Sequence, residues 1–537
     1  MTKTKQHDAI ILGGGLAGLT LSLQLKQRFP DLDILVLERR AHPVPEAAHK
    51  VGESTVEIGA HYFANVLGLR DYLHEFQLKK FGFRFFFSDG ERDIASVTEL
   101  GGGSFLSTPA YQIDRGIFEN DLAIFARERG VTFVDQAMVR NFSLSDGKAL
   151  HRVSYDHAGE SYEVESRWLV DAAGRAGLIK RKLDLAESNA HNACAVWFRI
   201  AECIDINDWS QDREWLARCN PPNRWLSTNH LCGEGYWVWL IPLASGSHSV
   251  GIVADAELHP IDTLNTFEKS MAWLKRHQPQ LFDVLDAKRD KLQDFGFYKR
   301  FSYGCKQMYS GKQRWALTGE AGLFLDPFYS PGSDFIAIGN TLITELIAQD
   351  RVGGLTEMYA TAYEKVYFSF YQNMLPLYVG QYKIFGDAEV MPVKVLWDYA
   401  FYWGLMCQLF FQNRLTDIVT MGRMGKIFVA VEKLNVAMQA FLRKWSAGSK
   451  RNNPAQMLDQ SRLAWFAELN RGLTDQLDEA SFKLRIEEML TQLDALAIEI
   501  VIHATAAYPE LDGSEVISFV KPETRANAVP MLFAQAA

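Results

Sequence analysis

The sequence predicts an α/β fold: a Rossmann-like nucleotide-binding unit, interrupted by a mixed β-sheet domain and followed by a helical C-terminal region. Three observations carry this reading. A glycine-rich turn links a strand to a helix near the start, two further strand-and-turn segments recur in mid-chain, and an alternating strand rich in tryptophan lies between them. With 537 residues, 48% of them apolar, the chain has material for two or three domains.

The first element is the apolar run Asp8 to Leu12, which breaks into Gly13-Gly14-Gly15-Leu16-Ala17-Gly18 and continues with Leu19, Leu21, Leu23 and Leu25. This reads as strand, tight turn and helix. Glycine there lets the backbone approach a pyrophosphate, whose charge sits on the free N–H groups at the helix start. A second strand, Ile34 to Leu37, ends at Glu38, twenty residues after Gly18, where a carboxylate accepts from an adenosine ribose. Gly13, Gly15, Leu16, Ala17, Gly18 and Glu38 are therefore candidate dinucleotide-binding residues.

Trp168 to Arg175 reads as another strand and turn, with Asp171 at its end. Trp315-Ala316-Leu317-Thr318 reads as one more, running into Gly319-Glu320-Ala321. Asp326-Pro327 and Pro331-Gly332 follow and open an apolar helix from Phe335 to Ile347, whose N-terminus carries partial positive charge. Between these segments lies Gly235-Tyr236-Trp237-Val238-Trp239-Leu240-Ile241-Pro242. Alternation puts both indoles on one face of a strand, and Pro242 ends the ladder by withholding a donor.

The fingerprint, the later turns and the Trp-x-Trp-x-Ile-Pro strand together resemble the flavin-dependent halogenases, closer to their phenolic and pyrrolic branch. The resemblance spans about residues 8 to 350. It implies an FAD-binding domain of the GR2 flavoprotein-monooxygenase type, in which FADH2, O2 and chloride or bromide generate hypohalous acid. A separate NAD(P)H flavin reductase would supply the reduced flavin. The substrate would be an electron-rich aromatic, of phenol, pyrrole or indole type, free or bound to a carrier protein, in secondary metabolism. Val51-Gly52-Glu53-Ser54, preceded by Lys50, and Tyr111-Gln112-Ile113-Asp114-Arg115 match family segments beside the flavin, so Lys50, Gly52 and Arg115 join Asp171, Gly319, Glu320, Pro327 and Gly332 as implied cofactor residues. Trp237, Trp239 and Pro242 would line the passage between flavin and substrate.

The segment Phe76-Gln77-Leu78-Lys79-Lys80-Phe81-Gly82-Phe83 matches the family stretch with a lysine two before glycine, which picks out Lys80 as the residue that holds the oxidant beside the substrate. Its neighbour Lys79 alternates to the other side and is expected in solvent. Two departures bear on the chemistry. Tyr329 stands where tryptophan halogenases carry a catalytic glutamate, which argues against free tryptophan as substrate. Pro331 has no N–H to offer a halide, leaving Gly332 and Ser333 as the halide donors. Pro331 is also what most favours a second reading, an FAD monooxygenase that hydroxylates an aromatic or polyene-like substrate on the same scaffold. A third reading is a flavin-binding protein without catalysis.

The predicted organisation is an FAD-binding domain over 1–188 with inserted strands, a β-rich substrate domain over 189–300, the FAD-binding domain resumed over 301–354, and a helical region over 355–537. The aromatics of the last region, such as Tyr399-Ala400-Phe401-Tyr402-Trp403, read either as packing or as the wall of a site. Six cysteines without paired spacing suggest neither a disulfide framework nor a metal site. A net charge of −9 without a long basic cluster argues against nucleic acid. No signal peptide and no run of about eighteen uncharged apolar residues is visible, so the expected location is cytoplasmic with no transmembrane segment.

Overall fold

The computed structural model describes residues 5–47, 51–88, 93–147, 149–527 and 531–533, so Lys50 lies outside the described residues. The strand Lys5–Leu12 turns through Gly13 into the helix Leu16–Arg28, and the chain returns as the strand Ile34–Leu37. These strands lie inside a sheet ordered Tyr309–Ser310, Trp315–Leu317, Glu160–Asp171, Lys5–Leu12, Ile34–Leu37 and Thr132–Val134. The four pairings from Trp315–Leu317 to Thr132–Val134 are parallel. Ala9 to Leu12 and Ile34 to Leu37 are buried on both faces, which is why they read as continuous apolar runs. The hairpin Met138–Ser143 and His151–His157 pairs on the outer half of Glu160–Asp171, where side chains face solvent.

The second sheet runs Leu292–Tyr298, Ala193–Ile200, His248–Asp255, Tyr236–Pro242, Thr228–Gly233, Phe83–Phe87, Thr98–Gly101 and Met457–Asp459. Its membership departs from the sequence boundaries at both ends. Phe83–Phe87, placed by sequence with the first nucleotide-binding part, pairs in parallel with Thr228 to Cys232. Met457–Asp459, in the region expected to be helical, pairs in parallel with Glu99 to Gly101. Alternation along the tryptophan strand divides two cores: Trp237 and Trp239 join the core shared with the nucleotide-binding sheet, whereas Tyr236, Val238 and Leu240 join the one roofed by Phe267–His277 and Pro279–Asp286.

The C-terminal region is mostly helical, with long elements at Thr356–Met374, Met391–Phe401, Ile418–Gly448 and Glu479–Ala507. Glu479–Ala507 is long and apolar enough to cross a membrane by length and composition, but half of its apolar window is packed inside the protein. Asp494 and Glu499 interrupt its apolar sequence, so it contains no uncharged run of eighteen residues.

Candidate active site

A cavity of about 580 Å³ opens at the C-terminal ends of the parallel strands, where ligands bind in doubly wound sheets. Its wall is made by Leu12 to Ala17 after the first strand, Leu37 to Arg40 after the second, Ala172 to Ala176 after Glu160–Asp171, and Gly319 and Glu320 after Trp315–Leu317. Gly13 is held at φ +115° with its back against the Ala172 carbonyl. A Cβ on Gly18 would stand 2.0 Å from the Gly13 oxygen, so that glycine allows helix and strand to pack together. A Cβ on Gly15 would meet only Glu119 at 3.9 Å, and one on Gly174 would meet nothing within 4 Å. The wall is thus bare backbone at these points.

Of the residues expected at the cofactor, Gly13, Gly15, Leu16, Ala17, Glu38, Gly52, Arg115, Gly319, Glu320, Pro327 and Gly332 line this cavity. Glu38 accepts from the N–H groups of Gly14 and Arg40, each at 2.7 Å, which fixes its carboxylate at the rim. Arg115 bonds the Val51 carbonyl at 2.8 Å and Glu119 at 2.5 Å. Glu320 faces Arg175 at 3.6 Å, and burial holds its carboxyl above the usual range. Gly18, Asp171 and Pro242 are not in the wall. Asp171 instead accepts from the N–H groups of Ala173 and Ile179, so its carboxylate fastens the turn; burial raises its pKa to about 6. These residues fit FAD, with a backbone cradle for the pyrophosphate and an acid at the ribose distance.

The same cavity reaches Ser54, Thr228, His230, Trp237 and Trp239. Trp237 donates to the Tyr382 hydroxyl at 3.0 Å, and Tyr382 to Asp326 at 2.5 Å, where His191 also bonds at 2.6 Å. The two indole rings are 5.7 Å apart. His230 stacks on Phe85, its Nε2 has no partner, and burial, helped by the Lys80 charge, pushes its pKa down to about 3. His230 is a neutral imidazole at this end of the cavity.

Lys80 lies immediately behind that wall. It follows the short strand Leu78–Lys79 and is 4% exposed, whereas Lys79 is exposed, as expected. Its ammonium donates to Ser54 Oγ at 2.9 Å and to the Thr55 carbonyl at 3.0 Å, and sits 3.4 Å from the centre of the Phe83 ring. Ser54 Oγ in turn is 2.9 Å from Thr228 Oγ1. A pair of hydroxyls therefore separates Lys80 from the flavin cavity. Burial lowers the lysine pKa to about 7, opposed by the charges of Glu57 and Asp334.

The loop 325–334 closes the site from below. Pro331 and Gly332 line the cavity, and Ser333 Oγ is buried there without a hydrogen-bond partner. The helix Gly332–Arg351 begins at this point and leaves its first N–H groups without intrahelical acceptors. Tyr329 faces away into the C-terminal helices, where its hydroxyl donates to Asp398 at 2.7 Å. Asp334 accepts from the Gly59 N–H at 2.8 Å and from the Tyr402 hydroxyl at 2.6 Å, and burial raises its pKa to about 8.

Several residues at the site were not found by sequence reasoning. Ser54 lies in the Val51-to-Ser54 segment that resembles a flavin-side stretch, but nothing local shows that its hydroxyl bonds Lys80. Thr228 and His230 carry no local signal. Glu57 had one, an acid inside the apolar run Val56-Glu57-Ile58-Gly59-Ala60.

Fold and cavity define a flavoprotein, and comparison with known proteins agrees. Residues 6–255 match the model of an FAD binding domain. A flavin-dependent halogenase of Dictyostelium discoideum is 26% identical over 455 residues, covering 76% of this chain and 73% of that protein. A 1H-pyrrole-2-carbonyl-(peptidyl-carrier protein) brominase of Pseudoalteromonas luteoviolacea is 25% identical over 342 residues, covering 62% of this chain and 75% of its own length. The crystal structure of the halogenase PltM superposes with a TM-score of 0.66 over 92% of this chain and 97% of its own, at 16% identity, which speaks for the fold. The chain thus carries an FAD binding domain, its cofactor is FAD, and in sequence and fold it is similar to flavin-dependent halogenases.

Proposed function

We propose that this enzyme places chlorine or bromine on an electron-rich aromatic ring of the phenol or pyrrole type, free or tethered to a carrier protein. The observation that carries the reading is Lys80, a buried lysine set behind the Ser54 and Thr228 hydroxyls that line the flavin cavity. The pyrrole brominase and the other halogenases among its relatives support the substrate class.

Bound and reduced, FAD supplies the electrons with which O2 oxidises halide to hypohalous acid. The residues of the chain then confine and aim that oxidant. Ser333 Oγ and the first N–H groups of the helix at Gly332 are the donors available to a halide. Trp237, Trp239 and neutral His230 fill the inner end of the cavity, so an aromatic substrate is kept from the flavin while a small acid reaches Ser54. At a pKa of about 7 Lys80 exists in both forms near neutrality. Its ammonium donates to the oxygen of hypohalous acid, and its free amine takes up halogen. Tyr329 supplies no carboxylate, in keeping with a ring that stabilises its own cationic intermediate.

Pro331 supports the second reading, a monooxygenase, because it lines the cavity where a backbone donor would face a halide. Mass spectrometry of products separates the two. Full-length protein with FAD, a flavin reductase and NADH is supplied with phenols, pyrroles and indoles in chloride and in bromide. A halide-dependent isotope doublet is expected; a gain of one oxygen in both salts would overturn the halogenase reading.

A further inference from the structure

Behind Ser54 lies a second, small cavity shared by Lys80, Glu57, Phe83, Tyr399, Leu106 and Pro109. Glu57 is 3% exposed, and its Oε2 is fully buried without a hydrogen-bond partner. A buried carboxyl left unpaired is a standing cost to the fold, and nothing in the packing here requires an acid. Lys80 is near enough to feel its charge, yet it spends its hydrogen bonds on Ser54 and Thr55. The Trp403 indole N–H faces the Glu57 carboxyl and acts on it as a hydrogen-bond donor. A cation and an acid thus meet at one space, where Glu57 Oε2 alone is left unspent.

The surrounding backbone is unusual on both sides. The helix Glu57–His61 passes directly into a π-helical stretch, Tyr62–Val66, and Trp403 belongs to another, Tyr402–Cys407. Such stretches gather at functional sites. The cavity holds about 10 Å³, room for one water. Leu106, Thr108 and Pro109 wall it on one side, and a ring fits there only if this segment moves.

We propose that Glu57 is the base that takes the hydroxyl proton of a phenolic substrate bound over Phe83 between Lys80 and Tyr399. The proposal rests on the halogenase reading and names its substrate class. The phenol O–H breaks and its proton passes to the Glu57 carboxylate. The ring carbon takes halogen from hypohalous acid, whose oxygen leaves as water with a proton from the Lys80 ammonium. The ring C–H proton then goes to the Lys80 amine, and Glu57 returns its proton to the phenolic oxygen. The sum is phenol plus hypohalous acid giving halophenol plus water, with both side chains restored. Burial raises the Glu57 pKa, and the Trp403 hydrogen bond and then the Lys80 charge lower it; Asp334, Tyr399, Tyr402 and Cys407 are the other titratable groups in electrostatic reach.

The test uses full-length FAD-loaded enzyme, a phenol and its methyl ether, and a 1,3-diketone that traps free hypohalous acid. Glu57→Gln is expected to lower kcat/KM for the phenol about 100-fold at pH 7 and to recover about tenfold per pH unit as the phenol ionises by itself. The ether rate and the trapped hypohalous acid stay unchanged, and Glu57→Asp restores part of the loss. Equal losses for phenol and ether, or a flat pH profile, would overturn the assignment. Binding gives a readout that needs no turnover: Glu57→Leu is expected to raise Kd for the phenol about 10-fold and leave the ether unchanged. Equal effects on both ligands would sink the role of Glu57. Absence of trapped hypohalous acid from the wild type would sink the halogenase reading instead, with the binding result still deciding on Glu57.

Discussion

The Tyr329 hydroxyl donates to Asp398 Oδ2 at 2.7 Å, the same oxygen that takes the Lys394 ammonium at 2.6 Å. Gln439 bonds the other carboxylate oxygen at 2.7 Å. The position where tryptophan halogenases carry a glutamate is thereby turned away from the flavin cavity and tied to helices about 70 to 110 residues further along the chain. Tyr329→Phe removes one of three partners of Asp398, so it is expected to cost about 1 kcal/mol in denaturant unfolding. Product formation should stay within about threefold of wild type, because the hydroxyl acts on packing. A hundredfold loss of turnover would show instead that this tyrosine takes part in the reaction.

Lys80→Ala should abolish halogenated product while the FAD absorbance and the yield of trapped hypohalous acid stay unchanged, because the lysine lies beyond the flavin cavity. Persistence of product would remove Lys80 from the mechanism.

Burial of Lys80 also sets a pH signature of stability. Its pKa is about 7 in the folded chain against an ordinary 10.5, so between those values the unfolded chain holds a proton that the folded one has released. Stability from this group therefore rises with pH through that window. Lys80→Met should flatten the rise in unfolding free energy measured from pH 7 to 10, and an identical slope in both proteins would contradict the depressed pKa.

The glycines of the first turn separate cofactor binding from folding. Gly15→Ala points a methyl into open cavity and is expected to weaken FAD by about tenfold or more with no change in the thermal midpoint of the FAD-free protein. Gly18→Ala drives a methyl against the Gly13 carbonyl, and both FAD binding and the midpoint should fall. Isothermal titration and thermal melts of the two variants would distinguish them.

Glu99 lies fully buried between Arg84 and Arg224 and bonds both. Glu99→Ala leaves two guanidinium groups without their anion, which should cost about 3–5 kcal/mol, read from the shift in the denaturant midpoint. A change under about 1 kcal/mol would mean that water or the Gly102 carbonyl replaces the carboxylate.

What could be read from the sequence was what depends on neighbours along the chain. The run Asp8 to Leu12 with its glycines, the strand ending at Glu38 and the alternation of Trp237 and Trp239 all appear where the pattern puts them, because strand period and turn geometry are local. Lys80 was reached through resemblance, since nothing in Leu78-Lys79-Lys80 tells which lysine is buried beyond the alternation itself. The remainder depends on distant pairing. Phe83–Phe87 looked like part of the first unit, but its parallel partner is 145 residues away, at Thr228 to Cys232. Tyr329 could not announce Asp398, nor Glu57 the indole of Trp403, because those partners come from a region whose aromatics had two readings. Tyr399 at the small cavity combines them, as packing residue and wall at once.

The short strand Met457–Asp459 carries a consequence of another kind. It covers the rim of Thr98–Gly101, and the preceding residues Asn453, Pro454 and Gln456 fasten Thr98 and Glu99 by backbone and side-chain bonds. A protein shortened to the FAD and substrate parts would therefore leave a row of unsatisfied amides and carbonyls on the outside and remove Tyr399 from the small cavity it shares with Lys80. Such a fragment should self-associate, because the last third of the chain is what covers this sheet edge.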